Sequence, residues 1–317
     1  MKKPKIMVTT YPFGEKNTTP IKQLAEYDVH YNDVKRKYTR EELLVRLERE
    51  QPDIIIAGTE KYDEEALDKV PNLQMISRVG IGLDSVPIEW CEFRNITVAY
   101  TPDAPSNAVA ELTICQMLNA LRRVQNTDND LRNGKWNRHI GKEIRDCTIG
   151  IIGCGRIGKL VIEKLEGLKP RRIYVNDIDY SAAKNMPRSE AAKKMQILSD
   201  CDIISVHIPY TDENKNYLSH KEFSIMKKDV CLINMSRGGV FNEKDLHHFL
   251  SYHPEATACI DAFDTEPYNG ELLKLDNTFL TPHLGSCSET SRFHMEVGAV
   301  EEVINFINNK ELINKVC

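Results

Sequence analysis

The stretch TIGIIGCGRIGKLVIEKL, residues 148–165, decides the fold of this chain. Its first part, 148–153, is an apolar run typical of a buried strand, and from Leu160 onward apolar side chains recur at helical spacing. Between strand and helix, residues 153–158 match the pattern G-x-G-x-x-G. In this context the pattern predicts a dinucleotide-binding turn.

Each glycine of this turn has its own expected role. Gly153 permits the tight turn, Gly155 lets the backbone approach a pyrophosphate, and Gly158 allows the helix to pack closely on the strand. Arg156 and Ile157 begin the helix, where free N–H groups and a partial positive charge favour phosphate.

An aspartate ends the next apolar run, RRIYVND. Asp177 stands at the spacing where the pattern requires an acidic residue, and its carboxylate would accept hydrogen bonds from the adenosine ribose hydroxyls. Because Asp179 adds a second negative charge, a 2′-phosphate would be repelled, which favours NAD over NADP. A glycine turn followed by a surface aspartate, without a ligand, is the alternative interpretation.

Apolar runs along the rest of the chain predict a parallel α/β architecture, because they are apolar on both faces and alternate with helical patterns. The predicted strands are 5–10, 53–58, 73–79, 95–101, 148–153, 171–176, 202–207, 229–234, 256–263 and 277–282.

Three helices organise the rest of the chain. Thr39 and Glu42 form a capping-box pattern ahead of an apolar stripe. Residues 107–121 form a long apolar helix. The helix after Ser288 is amphipathic, which predicts that it packs back onto a preformed domain. Its predicted apolar face consists of Phe293, Val297, Val300, Ile304 and Ile307.

Length and composition exclude several classes of protein. A chain of 317 residues suggests about two domains, and 41% hydrophobic with 28% charged residues is an ordinary globular balance. The net charge of −5 favours neither nucleic acid nor a membrane surface as a partner. Nine cysteines without a Cys-x-x-Cys motif predict no disulfide framework and no metal cluster. With no signal-peptide or membrane-span pattern, we expect a soluble, cytoplasmic protein.

Three charged residues lie at or just past the ends of predicted strands. Arg237 follows DVCLINMS, Glu266 follows ACIDAFDT and His283 follows NTFLTP. Ligands of open parallel sheets bind at the carboxyl ends of the strands, so these side chains can converge on one cofactor. A surface charge, a helix cap and a loop histidine are the alternative interpretations of the three.

The motifs around these residues resemble the D-isomer-specific 2-hydroxyacid dehydrogenase family, and most closely its phosphoglycerate and glycerate dehydrogenase branch. The motifs that carry this resemblance, besides GCGRIG, are NMSRGG (234–239), DAFDTEP (261–267), TPHLGS (281–286), VGIGLDSV (79–86), NAVAELTICQMLNALRR (107–123) and VHIPYTDENKNYLSHKEFSIMKKD (206–229).

The resemblance implies an enzyme that interconverts a D-2-hydroxy acid and its 2-oxo acid with NAD. Arg237 would bind the carboxylate and carbonyl of the substrate. His283 would act as the acid/base, with Glu266 as its partner.

Further binding residues follow from the same resemblance. The N–H groups of Ile81 and Gly82 would hold the substrate carboxylate. On the cofactor side, the resemblance assigns Asp261, His207, Pro209 and Gly285; a strand-end cap is the alternative role for Asp261 and His207.

The resemblance also assigns the domains. Residues 1–100 would form a flavodoxin-like substrate-binding domain, 101–283 an NAD-binding Rossmann domain, and 284–317 a segment that returns to the first domain. The active site is expected in the cleft between the two domains. The helix 107–121 is expected in a homodimer interface, with a buried helix inside one domain as the alternative interpretation.

The substrate has two competing interpretations. Lys61 and Arg78 lie near segments that approach the substrate in the family, which favours a phosphorylated or dicarboxylic acid; if both are surface charges, glyoxylate or hydroxypyruvate is the alternative. An NAD(H)-sensing, corepressor-like binding protein is the alternative function. Cys154, inside the glycine turn, is expected to have a lowered pKa and to make cofactor binding sensitive to oxidation. Cys287 has no functional interpretation.

Overall fold

The computed structural model describes residues 3–317 and divides them into two compact units. The first unit comprises the described residues up to Pro105 together with Ser286–Cys317, and the second unit is Ser106–Gly285. The family resemblance placed these boundaries after residues 100 and 283.

Local hydrogen bonds explain where the boundaries lie. The hydroxyl of Thr101 accepts a hydrogen bond from the N–H of Gly80 at 2.7 Å, which joins the residues after 100 to the first unit. The N–H groups of Leu284 and Gly285 donate to the carboxylate of Asp261, which joins these two residues to the second unit.

The first unit contains a five-stranded parallel sheet in the order β2-β1-β3-β4-β5, which is flavodoxin-like. Its strands are β1 (Lys5–Val8), β2 (Asp28–Tyr31), β3 (Ile54–Ala57), β4 (Met75–Arg78) and β5 (Thr97–Tyr100), and its first helices are α1 (Thr19–Gln23), α2 (Arg40–Glu50), α3 (Glu64–Asp68) and α4 (Ile88–Phe93). At the start of α2 both hydrogen bonds of the Thr39–Glu42 capping box are formed, as predicted.

The second unit contains a seven-stranded parallel sheet in the order β12-β11-β10-β9-β6-β7-β8. Its strands are β6 (Thr148–Ile152), β7 (Arg172–Asn176), β8 (Glu190–Ala191), β9 (Ile203–Val206), β10 (Cys231–Asn234), β11 (Thr257–Ile260) and β12 (Thr278–Leu280). Its helices are α5 (Ser106–Arg122), α6 (Val124–Arg132), α7 (Arg156–Leu168), α8 (Tyr180–Lys184), α9 (Lys194–Asp200), α10 (His220–Phe223) and α11 (Glu243–Tyr252), with 3-10 turns at Ile144–Asp146 and Glu271–Lys274. The strand order reverses between β6 and β9, which is the switch point where doubly wound sheets bind ligands.

The last helix, α12 (Glu289–Ile307), belongs to the first unit and packs against its sheet. Its fully buried apolar positions are Met295, Ala299, Val300 and Val303. Of the face predicted for this helix only Val300 is fully buried, so the buried stripe is rotated from the predicted one. The small side chain of Ala299 favours this orientation, because it lets the helix backbone approach the sheet, where the Ala299 carbonyl accepts a hydrogen bond from the Ser77 hydroxyl at 2.8 Å.

The predicted parallel α/β architecture with two sheets is confirmed, and two short strands were missed. The missed strands are β2, whose sequence DVHY has exposed ends, and the two-residue β8. Both lie at a sheet edge, where a strand needs no continuous apolar run. Within residues 3–317, no helix combines the length and the apolar character that a bilayer span requires.

Candidate active site

The glycine turn after β6 has the geometry expected of a dinucleotide site. Gly153 has φ of +91°, and a Cβ there would lie 2.6 Å from the carbonyl oxygen of His207. A Cβ on Gly158 would lie 2.0 Å from the carbonyl oxygen of Gly153, so α7 packs directly on the turn. A Cβ on Gly155 would meet no atom within 4 Å. Gly153 and Gly158 are therefore required by the protein itself, whereas the space at Gly155 is open for a ligand.

Asp177, directly after β7, binds the backbone of the glycine turn. Its carboxylate accepts hydrogen bonds from the N–H of Cys154 at 2.7 Å and from the N–H of Asp179 at 2.9 Å. Partial burial raises the pKa of Asp177, but these hydrogen bonds outweigh it and hold the pKa below its usual value. Asp177 is thus a carboxylate at neutral pH, beside the open N-terminus of α7. This turn, helix end and acidic side chain fit NAD.

The expectation for Cys154 is wrong. Its thiol is buried, and burial together with the neighbouring Asp177 carboxylate raises its pKa to about 11. The side chain belongs to a buried apolar cluster of the second unit. A thiol with such a pKa stays protonated at neutral pH, so the hypothesis of oxidation-sensitive binding loses its basis.

His283 and Glu266 form a close pair. The Nδ1 atom of His283 lies 3.0 Å from both carboxylate oxygens of Glu266, and the two side chains are part-exposed. They come from the loops after the neighbouring strands β12 and β11. Glu266 also accepts a hydrogen bond from the N–H of Phe263 at 3.1 Å, which fixes the carboxylate in its loop.

Asp261 anchors the loop that carries His283. It is buried, and its carboxylate accepts hydrogen bonds from the hydroxyl of Thr281, from the N–H of Leu284 at 2.7 Å and from the N–H of Gly285 at 2.8 Å. Its backbone oxygen accepts the N–H of His283 at 3.0 Å, while His283 itself has φ of +54°. Burial raises the pKa of Asp261 despite these donors. Asp261 therefore acts as the strand-end cap that the sequence left as an alternative, and its contact with the cofactor stays a prediction.

Arg237 lies in the loop after β10, the third neighbouring strand. Its Nη1 donates to the carbonyl of Ser236 at 2.8 Å. The buried Asn234 side chain accepts the N–H and the hydroxyl of Ser236 and donates to the carbonyl of Arg237 at 2.9 Å. Asn234 thus shapes the loop, a role that the sequence analysis missed. An asparagine at a strand end, followed by a serine two positions on, is the signal of such a side-chain-capped turn.

His207 follows β9 and is part-buried. Its Nε2 lies 2.8 Å from the Ser205 hydroxyl, and its Nδ1 is buried without a hydrogen-bond partner among residues 3–317. Burial lowers the pKa of His207 to about 4, so the ring is neutral near pH 7. Pro209 is exposed, and its carbonyl accepts a hydrogen bond from the Asn214 amide at 3.0 Å.

The residues expected to bind the substrate carboxylate lie in the first unit, in the loop after β4. Ile81 and Gly82 are part-buried, and their N–H groups donate to no atom of residues 3–317. The two cations considered for substrate binding, Arg78 and Lys61, differ in exposure. Arg78 is 7% exposed and its Nη1 donates to the carbonyl of Val79, whereas the Lys61 side chain is 78% exposed.

The part of the chain that the structure describes shows no group of three or more His, Cys, Asp and Glu side chains that could hold a metal ion. The candidate site residues described above are hydrogen-bonding and acid/base groups. In the second unit these groups follow β6, β7, β9, β10, β11 and β12, so they gather along the carboxyl edge of one sheet.

Comparison with known proteins adds independent information. A family model described as the NAD binding domain of D-isomer specific 2-hydroxyacid dehydrogenases matches residues 114–285. The chain is 32% identical to a glyoxylate reductase of Thermococcus litoralis, over 86% of each chain. It is 30% identical to a D-3-phosphoglycerate dehydrogenase of Archaeoglobus fulgidus, over 90% of this chain and 54% of that one. The crystal structure of the TT0316 protein from Thermus thermophilus matches with a TM-score of 0.89 and 27% identity, over 99% of this chain and 100% of that one.

Proposed function

Because this chain belongs to the D-isomer specific 2-hydroxyacid dehydrogenase family, whose members are NAD-dependent enzymes, we propose that His283, Glu266 and Arg237 are its catalytic residues. The reaction is the interconversion of a D-2-hydroxy acid and its 2-oxo acid. The observation that carries the proposal is the 3.0 Å contact between Nδ1 of His283 and the Glu266 carboxylate, at the carboxyl edge of the NAD-binding domain.

The proton is handled by His283. Nδ1 contacts Glu266, and the proposal assigns the proton transfer to Nε2, which would donate a proton to the carbonyl oxygen of the 2-oxo acid or take one from the hydroxyl in the reverse direction. The negative charge of Glu266 stabilises the protonated ring. NAD, when bound, supplies or accepts the hydride.

The substrate is held by its carboxylate. The guanidinium of Arg237 offers two parallel N–H donors to a carboxylate and can polarise the adjacent carbonyl. For the N–H groups of Ile81 and Gly82, in the first unit, we likewise propose a role in binding the substrate carboxylate. Glyoxylate is the first 2-oxo acid to test, since glyoxylate reductases are among the relatives. Acids with a second anionic group are the next to test, because the buried Arg78 is a cation near the loop of Ile81 and Gly82.

NAD, rather than NADP, is the proposed physiological cofactor. Gly153, Gly155 and Gly158 would carry the pyrophosphate at the start of α7, with Arg156 and Ile157 as the first residues of that helix. Asp177 would accept the ribose hydroxyls. His207, Pro209, Asp261 and Gly285 complete the proposed cofactor site.

We also propose a cytoplasmic homodimer. Large apolar side chains stand in solvent on the second unit; they are Leu118, Val124, Leu131, Trp136 (82% exposed) and Ile140 (98% exposed). Such a cluster within one stretch of chain is typical of an interface. All nine cysteines are free thiols, which suits a reducing compartment. Light scattering of the wild type and of Trp136→Glu would test this: a dimer that the substitution leaves intact would contradict this interface.

The deciding experiment measures NADH oxidation with glyoxylate, hydroxypyruvate, phosphohydroxypyruvate, pyruvate and dicarboxylic 2-oxo acids. Turnover that is lost in His283→Ala would support the proposal and rank the substrates. NADH binding without turnover on any acid would contradict it. The NAD(H)-sensing alternative is not favoured, because a sensor needs no histidine–glutamate pair beside its nucleotide site.

A further inference from the structure

A second carboxylate connects the loop of Arg237 with the loop of Glu266. The Oδ1 atom of Asp264 accepts a hydrogen bond from the N–H of Gly239 at 2.5 Å. Gly239 lies two residues after Arg237, and Asp264 lies two residues before Glu266. One side chain therefore joins the segments that carry two of the three proposed catalytic residues.

The two loops also approach each other directly at their backbones. A Cβ on Gly238 would lie 2.0 Å from the carbonyl oxygen of Phe263. Gly239 has φ of +75°, and a Cβ there would lie 2.5 Å from the Tyr210 ring. The chain from 237 to 239 thus runs in contact with Phe263, and Asp264 supplies the hydrogen bond that holds this approach.

Asp264 is itself held by a helix. Its N–H donates to Oε1 of Glu243 at 2.8 Å, and Glu243 is the first residue of α11. The helix is fixed in the core of the second unit by Leu246 and Leu250. Burial, and then the neighbouring Asp264 carboxylate, raise the pKa of Glu243. The chain of contacts therefore runs from the core through Glu243 and Asp264 to the Arg237 loop.

We propose that Asp264 is a positioning residue, which keeps the Arg237 loop and the Glu266 loop in one relative arrangement while Glu243 holds Asp264 to α11. The inference rests on the proposed function, in which Arg237 binds the substrate and Glu266 supports His283. In enzymes generally, a displacement of a substrate-binding group by about 1 Å can lower the rate about 10²-fold.

The test compares Asp264→Ala with Asp264→Asn. Asparagine retains an oxygen that can accept the Gly239 N–H, whereas alanine removes it. We expect kcat/KM for the 2-oxo acid to fall about 10–100-fold in Asp264→Ala and to be largely restored in Asp264→Asn. The dissociation constant of NADH should change by a smaller factor than kcat/KM, because the glycine turn lies elsewhere on the sheet. Glu301→Ala, which removes an exposed carboxylate of the last helix, is the control.

Amide hydrogen exchange provides the second readout, which does not depend on activity. The peptide that contains Gly239 should exchange faster in Asp264→Ala than in the wild type or in Asp264→Asn. In an Arg237→Lys background, Asp264→Ala should reduce kcat/KM by a smaller factor, because both changes act on the same contact.

Three results would overturn the inference: unchanged exchange at Gly239 in Asp264→Ala, unchanged kcat/KM in that variant, or equal losses in the alanine and asparagine variants. An inactive wild type would instead overturn the proposed function. The connection between the loops would then be decided by the exchange data alone.

Discussion

The Nδ1 atom of His283 lies 3.0 Å from each carboxylate oxygen of Glu266. The backbone oxygen of Asp261 accepts the N–H of His283, and the Asp261 carboxylate holds the loop after His283 through the N–H of Gly285. The N–H of Phe263 donates to the carboxylate of Glu266. Both members of the pair are therefore placed before any substrate arrives. Such preorganisation matters because an acid/base group must lie within hydrogen-bond reach of the proton it transfers.

Glu266→Gln is expected to lower kcat for 2-oxo acid reduction about 10²-fold. Glutamine can still contact Nδ1, but without a negative charge it stabilises the protonated imidazole poorly. Steady-state kinetics with NADH measure the effect. Glu271→Gln is the matched control, since Glu271 is an exposed carboxylate paired with Lys274. A wild-type kcat in Glu266→Gln would show that the pair is structural.

Gly155→Ala and Gly158→Ala should separate cofactor binding from folding. The Cβ at position 158 would lie 2.0 Å from a backbone oxygen, so we expect a loss of about 1–3 kcal/mol in the free energy of unfolding. The Cβ at position 155 meets open space, so this variant should keep its stability within about 1 kcal/mol and bind NADH at least about tenfold more weakly. Urea denaturation and NADH fluorescence titration measure the two quantities. Wild-type NADH affinity in Gly155→Ala would remove this turn from the proposed pyrophosphate site.

His207 predicts a loss of stability in mild acid. Its pKa is about 4 in the folded chain against an ordinary value of 6.5, so the unfolded chain binds the extra proton in the interval between them. The free energy of unfolding should therefore keep its full value above pH 6.5 and fall by about 1–3 kcal/mol as the pH decreases toward 4. His207→Gln should remove this part of the pH dependence, and the exposed His294→Gln should leave it intact. Denaturation curves recorded across this pH range measure the effect. If the free energy of unfolding fell equally with pH in both variants, His207 would be excluded as the cause.

The architecture was predictable where strands are buried on both faces. Every residue of Ile203–Val206 and of Cys231–Asn234 is buried, and each strand is apolar except for one hydrogen-bonded polar residue, Ser205 or Asn234. Asp28–Tyr31 is exposed at both ends and was missed for that reason. Helix α12 was found, but its buried face depends on the contact with the sheet of the first unit rather than on the helix alone.

The candidate site was predictable where a residue type is tied to its chemistry. The glycine turn, Asp177 and His283 carry such signals in their motifs. Asn234 and Asp264 act through backbone N–H and carbonyl groups of other residues, and those contacts exist only once the loops are folded. Cys154 was misjudged because its position in the turn says nothing about the direction of its side chain, which is buried beside Asp177.

Asp177 should determine the preference for NADH over NADPH. Its lowered pKa keeps the carboxylate ionised throughout the neutral range, so it repels a 2′-phosphate there, and the preference should not change across that range. Asp177→Asn removes the charge and keeps an oxygen for the N–H of Cys154, so we expect the ratio of kcat/KM for NADH over NADPH to fall about 10–100-fold. Asp179→Asn is the matched control, because Asp179 caps α8 through the N–H groups of Ser181 and Ala182 and should change the ratio less. If Asp179→Asn changed the ratio more than Asp177→Asn, the ribose would have to be assigned to Asp179, and the role of Asp177 would be limited to holding the turn.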